Sequence, residues 1–168
     1  MKKVLKLTLA VALVMSASSL YAQKFGRIST DELIVAMPEM KEAQANFETF
    51  QKDIQETYEV MRVEYNNKMA DLQKNEATYS ESMKQLKTKE IQDLINRIGE
   101  YEQNAQTEMQ QKYAELMRPI QEKALAAINE VAKAGGYAAV FETGTFIYFD
   151  ESQIADLMPA VKAKLGIQ

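Results

Sequence analysis

The chain has 168 residues, with 20 lysines and arginines against 24 aspartates and glutamates and no cysteine, histidine or tryptophan. Without cysteine it has neither a disulfide frame nor a thiol for lipid attachment, and without cysteine or histidine it lacks the usual zinc ligands. A net charge of −4 disfavours a nucleic-acid partner, because duplex binding requires a basic face that releases counterions.

The first 22 residues have the pattern of a secretory signal peptide. Lys2, Lys3 and Lys6 precede an apolar run from Leu7 to Met15, and small residues then lead to Ala22. That run is about half of the roughly 18 apolar residues needed to span a bilayer, so a cleaved signal is expected rather than an anchor. Cleavage after Ala22 removes three lysines and no acid, leaving 17 basic against 24 acidic residues, a charge of −7.

Residues 23–37 predict a short strand over Phe25–Ser29 and a short helix from Thr30 to Met37, with Ser29 as cap and Glu32 completing a capping box. Residues 38–134 predict a long antiparallel helical hairpin. Strong helix formers dominate them, and the stretch holds one glycine, Gly99, and after Pro38 one further proline, Pro119. Apolar residues at Phe47, Phe50, Ile54, Tyr58, Met61, Tyr65, Met69 and Leu72 form a stripe with an eleven-residue repeat, which runs nearly straight or slightly right-handed. A second arm repeats it at Met109, Tyr113, Leu116, Ile120, Ala124, Ala127 and Val131, after heptad-like spacing through Ile91, Leu94, Ile98, Tyr101 and Ala105. The poor helix formers of residues 75–82 mark the turn. At about 1.5 Å per residue the arms come to roughly 55 and 80 Å.

Residues 135–168 predict a β-hairpin and a final helix. Gly135-Gly136 ends the second arm, strands are expected over Tyr137–Phe141 and Thr145–Phe149 around Glu142-Thr143-Gly144, and a helix is expected from near Ser152, kinked or restarted at Pro159. The fold class is therefore mainly α with a small β body.

The residues point away from catalysis and cofactors. The six glycines build neither a dinucleotide fingerprint nor a phosphate loop. Asp31-Glu32 and Asp150-Glu151 read as acidic residues favouring helix starts, not as an acid/base pair. Two helices cannot cover their own apolar flanks, so Met40, Met61, Met69, Met83, Met109 and Met117 leave flexible thioether surface suited to unspecific apolar partners. Near the turn Lys74, Lys84, Lys87 and Lys89 outnumber Glu76, Glu81 and Glu90, which reads first as a solvated tip and, in the functional alternative, as a local attractor for acidic segments or lipid head groups. Gly99, costing about 1 kcal/mol in mid-helix relative to alanine, is expected to admit a ring from the opposite arm near Tyr58, with a hinge as the alternative.

Certain segments resemble the Skp (OmpH-like) family of periplasmic chaperones. Phe25-Gly26-Arg27-Ile28-Ser29 stands at the family's first strand and Gly136-Tyr137-Ala138-Ala139-Val140-Phe141 at its second. Thr145-Phe146-Ile147-Tyr148-Phe149 matches its third, and Ile154-Ala155-Asp156-Leu157 its closing helix. The resemblance covers essentially all of residues 23–168. It implies a periplasmic homotrimer whose β segments form a shared base, with three hairpins hanging as tentacles around a cavity that holds unfolded outer-membrane proteins without ATP. On this chain the client surface would fall on Met61, Met69, Leu72, Tyr79, Met83 and Leu86 with Lys74, Lys84, Lys87 and Lys89. The oligomer contact would fall on Phe25, Ile28, Val140, Phe141, Phe146 and Tyr148. Transient contact with a membrane surface or lipopolysaccharide would rest on the tip lysines, since this chain is acidic where well-known members are basic. A different class of function, a coiled-coil spacer or adaptor in an envelope assembly, is set apart by its lack of need for exposed apolar side chains.

Overall fold

A computed structural model describes residues 23–167 of the chain; the signal segment read in residues 1–22 lies outside the described residues. The chain forms two compact units, one running to Asp31 and resuming at Ala126, the other Glu32–Leu125.

The helical unit is built from α1 (Thr30–Ala36) from Glu32 on, α2 (Pro38–Lys74) and the part of α3 (Glu81–Gly135) up to Leu125, the first two residues of α1 belonging to the other unit. Pro38 starts α2 at a position where a missing N–H costs nothing, and Glu39 in the first turn complements the helix dipole. The turn is made by backbone bonds from Thr78 and Tyr79 to the Asn75 carbonyl, both 2.9 Å, and the Ser80 hydroxyl accepts the Met83 N–H at 3.3 Å to cap α3. The arms are antiparallel. Cross-arm contacts join Phe47 to Tyr113, the Ile54 carbonyl to the Tyr101 hydroxyl, Lys68 to Glu90 and Asp71 to Lys87, one number rising as the other falls. α3 continues through Pro119, whose ring removes one helical N–H and leaves the Glu115 carbonyl without that partner.

The other unit holds a three-stranded sheet of β1 (Lys24–Ile28), β2 (Tyr137–Glu142) and β3 (Ile154–Asp156), in the order β2-β1-β3. Both pairings are parallel, with Gly26 opposite Val140 on one side and Ala155 on the other. α4 (Met158–Leu165) comes next, its first N–H held by the Asp156 carboxylate at 2.9 Å, and the left-handed Gly166 ends it at φ 71°. Leu157 and Val161 are buried completely and Ile28 almost so. Glu142 accepts the N–H and hydroxyl of Thr30, which ties the end of β2 to the start of α1.

Three expectations are corrected. The β-hairpin is absent: residues 145–149 are not a strand, and the third strand is Ile154–Asp156, parallel to the central one. The turn at Glu142–Thr145 does form, with Gly144 at φ 99°. Beyond it the segment packs by its rings, Phe146 against Phe141 at 4.8 Å and Phe149 over the Arg27 guanidinium at 5.0 Å, instead of by ladder bonds. The Asp150 carboxylate then takes the N–H and hydroxyl of Ser152 and turns the chain toward β3. Consequently Asp150-Glu151 is a turn rather than a helix start, Ile154-Ala155-Asp156 is strand rather than closing helix, and the last helix begins six residues beyond Ser152. Finally, no ring meets Gly99; a Cβ built there would touch nothing within 4 Å.

Candidate functional site

All eight stripe residues of the first arm, from Phe47 to Leu72, are half-buried, none fully. The second arm seals better, with Ile91, Leu94, Ala105, Met117, Ile120 and Ala124 buried. The opposing helix thus covers one flank of α2 and leaves the other to solvent, as a pair of cylinders must when no third helix closes the groove. Met61, Met69, Leu72 and Tyr79 sit in this half-covered state, while Met83 is 39% and Leu86 51% exposed. Sequence reasoning missed Val60, Val63 and Ile95, exposed apolar side chains that lie off the eleven-residue phase. That mismatch of phase was their only signal.

The four tip lysines divide into two kinds. Lys87 pairs with Asp71 at 3.3 Å and Lys84 with Glu81 at 3.0 Å, whereas Lys74 and Lys89 are exposed and make no ion pair among the described residues. Asp71 gathers the turn: it accepts the Tyr79 hydroxyl at 3.0 Å and the Asn75 amide at 2.8 Å besides Lys87. The Tyr79 hydroxyl and then Lys87 hold its carboxyl below the ordinary value, and Lys68 does the same to Glu90. Asp71 in turn raises Lys87. For the depressed carboxylates the stabilisation is present above their unfolded pKa and lost as pH falls through the folded value. For Lys87 it is present below the unfolded lysine pKa and lost only as pH rises through a value above it. The protection of the amides of residues 75–80, their exchange compared with the intrinsic rate at the same pH, is therefore expected to fall on acidification through the carboxylate range and to stay level from neutral to mildly alkaline pH. Equal protection at acid and neutral pH would remove Asp71 from this role.

In the sheet unit, Phe25, Val140 and Phe141 are half-buried, with Phe25 and Phe141 rings 5.9 Å apart. Phe146 is 37% and Tyr148 82% exposed, and Ile147 between them stands fully in solvent. Ile28 is different. At 3% exposure it is covered within one copy and offers little surface to a second. Ile147, which the expected set lacked, presents more surface than any of its members. No group of histidine, cysteine or acidic side chains that could hold a metal occurs among the described residues, nor is any helix there long and apolar enough to cross a membrane.

The helical unit thus presents long half-sealed arms, and the other unit a small parallel sheet with an exposed run at Phe146-Ile147-Tyr148. Residues 24–165 match the family model described as outer membrane protein (OmpH-like), and the chain belongs to that family. Its fold is similar to that of an OmpH-like protein of Caulobacter crescentus CB15, assigned as an outer membrane chaperone, with a TM-score of 0.75. Sequence identity is 15%, over 85% of this chain and 83% of that one. No curated protein matches by sequence.

Proposed function

We propose that the protein is an ATP-independent periplasmic holdase, exported by residues 1–22, that binds unfolded outer-membrane β-barrel proteins along its arms and prevents their aggregation. The observation that carries this reading is the half-covered apolar stripe, extended toward the turn by the exposed Met83 and Leu86. Membership of the OmpH-like family supports it. A side chain covered in part contributes less than the roughly 1.5–3 kcal/mol of full burial, so each contact is weak and exchangeable while many along an arm hold a client firmly. Methionine suits such contacts because its thioether adapts to whatever shape arrives.

Assembly into a homotrimer, with clients in a cavity between hairpins, belongs to the same proposal; the uncovered Phe146-Ile147-Tyr148 supports it. The unpaired Lys74 and Lys89 are the residues for transient contact with a membrane surface or lipopolysaccharide. A spacer joining partners end to end would gain nothing from bare methionine and leucine, which weighs against that alternative.

Dilution of a urea-unfolded barrel protein into buffer holding an equimolar trimer, without nucleotide, is expected to abolish the rise in light scattering. Changing Met83 and Leu86 together to serine is expected to raise the amount of protein needed several-fold. An unchanged scattering curve at saturating wild-type protein would end the holdase reading.

A further inference from the structure

Midway along the hairpin a groove of about 440 Å³ opens between the arms, lined by Tyr58, Arg62, Tyr65 and Asn66 of α2 and Ile95 and Ile98 of α3. We propose that this groove seats one aromatic side chain of an extended polypeptide, and that Gly99 lets the backbone of that polypeptide lie against α3. The proposal rests on the holdase reading and gives it a defined subsite and a ligand class.

Three observations carry it. The first is the wall: Tyr58, Arg62 and Tyr65 follow one another at helical spacing on a single face and line the groove, and Glu102 accepts the Tyr58 hydroxyl. Ile95, 43% exposed, forms the opposite lip.

The second is Gly99, one turn beyond Ile95 and on the same side of α3. Glycine is the poorest helix former after proline, and here no neighbour demands it, since a Cβ would meet open space. A glycine with nothing pressing on it from its own chain leaves room for a backbone from elsewhere.

The third is charge. Arg62 is neutralised by Glu59 at 2.9 Å, and Glu64 lies 3.9 Å from Lys68, whereas Glu102 has no ion pair among the described residues. A net carboxylate at the lip repels acidic segments, so the occupant is an aromatic residue flanked by neutral or basic ones. The Arg62 guanidinium and Asn66 amide offer donors to its backbone carbonyls.

The chain contains no tryptophan, so a synthetic peptide alternating threonine and valine around one tryptophan reports its own environment. With wild-type protein its emission is expected to shift to the blue and saturate, with lysine flanks binding several-fold more tightly than glutamate flanks. Gly99→Leu puts a side chain and a better helix former beside the groove, where the peptide backbone is proposed to lie; it is expected to raise the thermal midpoint and weaken the peptide by about tenfold, the scale of one lost aromatic anchor. Tyr58→Ala is expected to weaken it similarly. Equal affinity for wild type, Gly99→Leu and Tyr58→Ala overturns the subsite even while barrel aggregation is still suppressed. Sedimentation in which Gly99→Leu changes self-association but not peptide affinity also overturns it, assigning the groove to a second copy. If wild-type protein fails to suppress barrel aggregation yet holds the peptide in a Gly99-dependent way, the holdase reading falls and the peptide site stands.

Discussion

Replacing Ile147 and Tyr148 together by aspartate is expected to convert the proposed trimer to monomers in sedimentation and to remove the proposed suppression of barrel aggregation with it. Both side chains stand clear of their own chain, Ile147 entirely and Tyr148 at 82% exposure, so the change leaves no cavity and unpairs no group within one copy. Monomer folding should survive, and helical circular dichroism should be retained. What is lost is burial between copies, worth roughly 1.5–3 kcal/mol for each large apolar side chain that goes from solvent to full cover, with the added cost of desolvating a carboxylate.

The sheet gives the physical reason for expecting partners at this place. Three strands, two of them edges, bury little, and a small parallel sheet is ordinarily covered on both faces. Residues 145–149 have strand composition but make no ladder within the chain, which leaves an apolar run in water. A wild-type protein that sediments as a monomer at micromolar concentration, with Ile147 reactive to solvent probes, would refute this assembly. Aspartate at Ile28, by contrast, would test folding rather than association, since that side chain is already inside.

How far the sequence could be read depended on the range of the forces that set each element. The arms were legible because helix propensity and an apolar period act locally and add over many turns, and the turn was legible because residues 75–80 interrupt both. The sheet was not, for the same reason in reverse. Residues 145–149 have the composition of a strand, yet Phe146 and Phe149 found ring and guanidinium partners, and the ladder went to Ile154–Asp156, whose period with Leu157 and Val161 reads as helix. Pairing with β1 decided it, and tertiary pairing of that kind leaves little trace in a single sequence. At the candidate surface, the stripe and the tip lysines were visible as residue types, but the division of those lysines into paired and unpaired was not. For Lys87 it depends on Asp71 standing one helix away across the turn, while Lys84 takes Glu81 of its own helix. Gly99 was visible as an anomaly whose cause, a ring from the opposite arm, turned out to be absent.

The tightest packing in the sheet unit sets the last expected result. Gly26 lies at the centre of β1, flanked by Val140 and Ala155, and the wholly buried Leu157 stands over it, its N–H bonded to the Arg27 carbonyl at 2.9 Å. A Cβ at position 26 would land on Leu157 Cδ1, with Cδ2 and Cγ both at 3.4 Å. Leu157→Ala is expected to cost about 2–5 kcal/mol, the range for emptying a filled leucine site. Gly26→Ala is expected to cost about 1–3 kcal/mol, because the leucine it meets is wholly buried and has to shift within a packed core to make room. The pair should not add: with Leu157 cut back, the methyl at 26 occupies part of the vacated space, so the double variant is expected to be more stable than the two single losses predict by about 0.5–3 kcal/mol. Urea unfolding followed by circular dichroism measures this, provided protein concentration is held fixed, since association would shift every midpoint. Strict additivity, or a harmless Gly26→Ala, would mean that Leu157 does not press on the central strand and that some other contact holds β3 and α4 to the sheet.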